Sequence, residues 1–249
     1  MVQVVCRLPT PTAADTSTRT VAAPSLPAVT GPRTDAPRTN RDPGELARKR
    51  SLLAAPHAAP LAAYAERLRS HHGIDRVPDF DPTEAGTRAR ILLLLEAPGP
   101  KATRERGGSG FVSPDNNDGS AENMWNLLRD AGMDRAHDVA TWNVVPWYVG
   151  SDTKIRAVET TDLLEARPYV EEVVSLLPEL QVVVLLGKKA ADGWSKLGLS
   201  LPTIKTPHPS PQNLNTRPEY RREILDALVA ARRIAGLVKN PAAGHTTSD

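Results

Sequence analysis

One cysteine, Cys6, stands in a chain of 249 residues. A lone thiol excludes a disulfide framework, a cysteine zinc site and a four-cysteine iron–sulfur cluster within one chain, and it fits a reducing compartment. Aromatic residues make up 4%, with two phenylalanines among them. No stretch approaches the roughly 18–20 apolar residues that span a bilayer. The first twenty residues lack a basic start followed by an apolar run, so no signal peptide is read there. Charge of one sign is missing too: 31 basic residues face 29 acidic ones, a net +2. No overall field marks a nucleic-acid binder, although a local patch stays open. The six histidines show no ligand spacing. "GGSG" at 107–110 lacks the Lys and Ser/Thr of a phosphate-cradling loop, and "DNNDG" at 115–119 lacks the spaced acids of a calcium loop. No metal and no other cofactor is expected.

What is present supports one domain of about 200 residues, or two small ones, since 40% of the chain is hydrophobic. Residues 1–43 are rich in Pro, Thr, Ala and Asp and are expected to be disordered, because they cannot bury enough apolar surface. A short disordered tail is expected at 240–249, leaving a domain over 44–239. Residues 43–73 show helical periodicity on either side of Pro56 and Pro60, which predicts two short helices or one interrupted helix. Apolar runs and amphipathic segments then alternate. "RILLLLEAPGP" (90–100) reads as a strand buried on both faces, and 120–133 as a helix with Ser120 as a candidate cap. Strands are read again at 138–148, 181–187 and 201–211, with helical segments at 160–180, 188–198 and 217–238. This alternation predicts a three-layer α/β/α fold around a central, mainly parallel four-stranded sheet.

In such sheets ligands bind beyond the carboxyl ends of the strands. Three unusual segments fall there: Glu96-Ala97-Pro98-Gly99-Pro100, Asn143, and His208-Pro209-Ser210-Pro211. Proline fixes φ and restricts the residue before it, so His208 and Ser210 sit on a stiff, extended loop. A glycine-rich loop of some twenty residues carrying Phe111 precedes the second helical segment. That is long for a plain connector. Singly, each feature has an ordinary explanation as a turn, a core plug or a strand end.

In this order the four segments resemble the uracil-DNA glycosylase superfamily over about residues 88–235. Its first motif has forms close to Gly-Glu-Ala-Pro-Gly, matched by Glu96 to Gly99, and its last is His-Pro-Ser-Pro, matched by His208 to Pro211. Leu95 stands where the family often has Gly, and Ala97 where some branches have an acid. The branch that shares Glu-Ala-Pro-Gly usually carries an iron–sulfur cluster, so this chain looks like a cluster-free relative.

The resemblance implies a monofunctional DNA glycosylase that removes uracil from DNA in base-excision repair. It would be a cytoplasmic, nucleoid-associated activity of bacterial type; the small net charge of +2 points to a monomer touching DNA through one local face. Glu96 is expected to orient the water or stabilise the oxocarbenium-like sugar, and His208 to stabilise the leaving base. Phe111 would stack on the base and Asn143 read its edge, with Ala97 and Pro98 beside it. Ser210 and the backbone of Gly99 and Asn213 would grip phosphates; Gln212 to Leu214 would form a finger with Leu214 as wedge. Arg217, Arg221 and Arg222 are open to phosphate contact or to a plain solvated helix face. The alternative is a member that binds a base without hydrolysis, or one with a different target such as hypoxanthine, xanthine or a modified nucleotide.

Overall fold

A computed structural model describes residues 36–150 and 156–237. Of the tail expected at 1–43, residues 1–35 lie outside the described residues, as does the tail expected at 240–249. Residues 36–43 were expected to belong to the N-terminal tail, yet they carry structure. Asn40 is buried, and its amide donates to the Asp115 carbonyl at 3.0 Å. Polar pairing holds this segment where apolar burial could not.

Helix α1 spans Pro43–Leu52 and α2 spans Ala59–His72. Asp42 caps α1 by accepting from the Gly44 amide at 2.8 Å, and the prolines break the chain between the two helices. Leu61, Tyr64, Ala65 and Leu68 bury one face of α2, the spacing of a helix packed on a core. Next come β1 (Asp79–Phe80), β2 (Ile91–Leu95) and β3 (Phe111–Val112). Helix α3 (Gly119–Asp130) is capped by Asp118, two residues before the expected Ser120. A short α4 (Arg135–Asp138) leads into β4 (Val139–Asn143). The remainder alternates: α5 (Thr160–Ser175), β5 (Val182–Leu186), α6 (Lys188–Trp194), β6 (Thr203–Thr206), α7 (Pro211–Thr216) and α8 (Glu219–Ile234).

The main sheet runs β4-β2-β5-β6 with every neighbouring pair parallel. The expected three-layer α/β/α architecture is therefore present. Its two cores follow from the period of two along a strand. Leu92, Leu94, Val183 and Leu185 point to one face, with Tyr64 of α2 and Val170 of α5. Ile91, Leu93, Val182 and Val184 point to the other, with Leu127 of α3 and Leu228 of α8. Strands covered on both faces need apolar side chains throughout, which is why "ILLLL" and "VVVLL" carry them. A separate two-stranded parallel ladder pairs β1 with β3. Phe80 of that ladder stacks on Trp142 of β4 at 3.7 Å, which locks the ladder against the sheet.

Candidate active site

Beyond the carboxyl ends of β2 and β4 lies a cavity of about 300 Å³. Leu95 pairs with Asn143 in register, and the ladder continues past both strands: the Val144 and Val145 amides donate to the carbonyls of Leu95 and Glu96 at 2.8 and 2.9 Å. The loop after β2 and the loop after β4 thus leave the sheet as one unit. Ala97, Pro98 and Gly99 border the cavity from the first loop, and Asn143 from the second strand.

Asn143 is 2% exposed, and its Nδ2 has no hydrogen-bond partner among the described residues. Buried polar groups are nearly always paired. An unpaired amide on a cavity wall is a group left for a ligand.

His208 closes the same cavity from the far edge of the sheet, in the loop after β6. Burial pushes its imidazole below the ordinary histidine range, with the Asp118 carboxylate pulling the other way. The ring is therefore neutral at pH 7, with one nitrogen a donor and the other an acceptor. Three contacts hold its loop. Asn213 Nδ2 donates to the His208 carbonyl at 3.0 Å, Asn123 Nδ2 donates to the Pro209 carbonyl at 2.9 Å, and Ser210 Oγ caps α7 through the Asn213 amide at 3.3 Å. At Gly119 a Cβ would stand 2.5 Å from Pro211 Cγ, so only glycine lets the start of α3 lie against this loop. Gly187, at φ +99°, likewise leaves room beside His208 Cβ.

Four expected site residues stand differently. Glu96 does not border the cavity although both its neighbours do; its Oε1 accepts from the Val158 amide at 3.4 Å. Phe111 is fully buried and Val112 borders the cavity in its place, since adjacent strand residues point to opposite sides. Leu214 packs against the core layer of α3 and α8 rather than projecting as a wedge. The Asn213 amide is already used by Ser210. Gln212 is exposed in α7, and Gly99 is exposed at the cavity's edge.

The cavity also uses residues that sequence reading passed over. Ser113, Asn116 and Asp118 border it from the glycine-rich loop, Met124 from α3 and Thr141 from β4. Asp118 is the one carboxylate among the bordering residues, and its Oδ1 accepts from the Ser120 and Ala121 amides at 2.9 and 3.0 Å. The polar run "SPDNND" before an amphipathic helix was the available signal for these. Asn116 holds the loop in shape: its Nδ2 donates to the Phe111 carbonyl at 2.9 Å, and its Oδ1 accepts from Ser109 Oγ at 2.6 Å.

The family model described as the uracil DNA glycosylase superfamily matches residues 82–229, more than half of the chain. The chain belongs to the uracil DNA glycosylase superfamily. The match includes every residue named above as bordering the cavity, and it leaves α1 and α2 outside. A solution NMR structure from Methanosarcina acetivorans, named as a candidate uracil DNA glycosylase, is similar at 18% identity with a TM-score of 0.41, covering 64% of this chain and 98% of that one. No curated protein sequence matches. Membership of the superfamily rests on the family model alone. No helix among the described residues is long and apolar enough to cross a membrane.

Proposed function

We propose that this superfamily member is a monofunctional DNA glycosylase that hydrolyses the N-glycosidic bond of uracil in DNA, in base-excision repair. The observation that carries the reading is the unpartnered Nδ2 of Asn143, a buried residue that borders the cavity together with His208. A target base must leave the stack to reach such a cavity, at a cost of a few kcal/mol. The Asn143 amide offers a donor to uracil O4 and an acceptor to N3–H. Cytosine presents the reverse pattern on that edge, and a polar group left unpaired penalises it.

As the C1′–N1 bond breaks, its electron pair goes to the base and the sugar becomes oxocarbenium-like. Neutral His208 donates toward O2, where the charge of the leaving uracil collects. A rigid donor placed where charge develops contributes about 2.7–4 kcal/mol. Water adds to C1′ and its proton leaves to solvent or base.

Carboxylates orient water and stabilise such sugars in glycoside chemistry. Glu96 was the expected group, and its tie to Val158 argues for a structural share in the motif. Asp118, which borders the cavity, is the better placed carboxylate for water. Phe111 supports the pocket from behind, and Val112 takes the contact side. Gly99 borders the cavity, and Ser210 and Gln212 follow His208 in the chain; flanking phosphates would run past these residues.

Strand scission by alkali after incubation with a uracil-bearing oligonucleotide tests the reading. Release of uracil by the wild type and its loss in Asn143→Ala and His208→Ala are expected; no scission at enzyme excess overturns it. A second reading, binding or excision of another base, draws on Ala97 and on the turned-away Glu96. A panel of lesion-bearing strands, scored for the base released or merely bound, separates the two.

A further inference from the structure

Behind the cavity wall lies a cluster of charged side chains that the proposed reaction leaves unused. Lys49 of α1 is fully buried. Its ammonium meets Asp81 Oδ2 at 2.6 Å, Asp115 Oδ2 at 2.7 Å and Ser113 Oγ at 3.3 Å. A lysine has three N–H donors, and here three acceptors from two distant segments take them. Ser113 Oγ in turn donates to Asp81. On the far side, Arg135 grips Asp115 through two bonds of 2.7 and 3.1 Å and stands 3.9 Å from Glu84. Glu84 accepts from the Thr141 amide at 2.7 Å and from its Oγ1 at 2.9 Å.

The acceptors matter for their neighbours. Ser113, Asn116 and Thr141 all border the cavity. Between Ser113 and Asn116 the chain is fixed at Asp115 from two directions, by the Lys49 ammonium and by the Asn40 amide on the Asp115 carbonyl. Asn40 Nδ2 adds a bond of 2.8 Å to Asn116 Oδ1. Lys49 and Asn40 both precede residue 82, where the family match begins.

We propose that Lys49 is a positioning residue for the base pocket: from a helix outside the family match, it sets the cavity wall Ser113–Asn116 by holding Ser113 and Asp115 together. Asn40 is its second tether. The charges balance around this post. Burial pushes Glu84 up to about 8 against the pull of Arg135, so it is protonated at pH 7. Burial opposes ionisation of Asp81 and Asp115 too, but Lys49 and Arg135 outweigh it and hold both below the usual carboxylate range. Two cations therefore face two anions. The cluster behind Ser113–Asn116 thus adds no net negative charge of its own to the wall.

The test uses the full chain as Asn40→Ala, Lys49→Met and the charge-balanced Lys49→Met/Asp115→Asn. Hydrogen–deuterium exchange over 109–118 reads the wall without reference to activity. A uracil-bearing single strand gives KM and kcat, which rest on the function proposed above. Asn40→Ala removes the Nδ2 bond to Asn116 but keeps the backbone bond to the Asp115 carbonyl and removes no charge; its thermal midpoint is expected to change little, with exchange at 113–118 about tenfold faster and KM about five- to tenfold higher at similar kcat. Lys49→Met moves both further in the same direction. The double variant regains thermal stability but not KM, because balance returns and the tether does not. Exchange and KM at wild-type values in folded Asn40→Ala and in the double variant overturn the proposal, as does recovery of KM together with stability. Where no base is released, Kd for the same strand by fluorescence anisotropy takes the place of KM. The failure of catalysis is then separate from the failure of this inference.

Discussion

The side-chain amide of Asn213 donates to the backbone carbonyl of His208 at 3.0 Å. A residue expected on the DNA side of the loop is thus a brace for the imidazole. With Asn123 on Pro209, two carboxamides take over the restraint that two prolines begin. His208→Ala is expected to lower kcat by about 10²–10³, the loss seen when one donor to a developing anion is removed. Asn213→Ala leaves the ring in place but frees its loop, so a smaller fall of about tenfold is expected, with KM little changed. Single-turnover kinetics on a uracil-bearing strand measure both.

Asn143→Asp replaces an amide by an ionised acceptor. Uracil O4 then meets an acceptor where it needs a donor, costing about 1–3 kcal/mol for the unmade bond. Uracil release is expected to fall by the matching factor, and cytosine release to rise above the wild-type background because its amino group finds an acceptor. Chromatography of the bases released from matched strands checks the exchange of preference.

Asp118→Asn and Glu96→Gln separate two carboxylates. Asp118 borders the cavity and caps α3; Glu96 meets the Val158 amide. Asparagine is itself a good cap, so Asp118→Asn is expected to fold normally while kcat drops by about 10²–10⁴, the range for a positioned acid–base group. Glu96→Gln keeps an acceptor for Val158 and is expected to stay within about tenfold of wild type. The reverse ranking would return the water-orienting role to Glu96.

Gly119→Ala places a methyl group against Pro211 Cγ, which a Cβ would approach to 2.5 Å. The proline ring cannot swing aside, so the overpacking is expected to cost about 1–3 kcal/mol of stability. The His208 loop must shift to make room, and a displacement of about 1 Å can cost 10² in rate. A modest fall in thermal midpoint with a large loss of kcat in the folded variant is the expected result.

Stability should depend on Glu84 on the alkaline side. Its folded-state value is raised from the ordinary 4.5 to about 8. The folded chain therefore holds a proton that the unfolded chain releases. The stabilisation is complete below pH 4.5 and is lost as pH rises to about 8. Asp79 and Asp138 are also raised by burial and act in the same sense; Asp81 and Asp115 are lowered and act at the acid end instead. Glu84→Gln should flatten the decline of the thermal midpoint between pH 5 and 8, leaving the acid limb as it was.

How much was legible in the sequence varied with the range of the interaction involved. The runs Ile91–Leu95 and Val182–Leu186 announced buried strands because a strand covered on both faces tolerates no polar side chain. Asn143 stood out as a polar residue ending such a strand. That Phe111 and Glu96 do not border the cavity while their neighbours do was not legible, for a local reason: beside a strand end, one residue's shift decides which way a side chain faces. The packing of Leu214 was not legible because nothing in "PQNLN" tells that it lies against the core layer of α3 and α8.

By itself the sequence determined the alternation of strands and helices, the parallel sheet, and the presence of Asn143 and His208 at strand ends. Those features rest on hydrophobic period and on the stiffness of proline, which act between near neighbours. The tertiary structure alone decided which carboxylate borders the cavity, which apolar residue lines it, and that Lys49 stands behind its wall. Lys49 meets acids 32 and 66 positions away. A buried ion cluster of that kind has no sequence period, since only the packed fold brings its members out of water together.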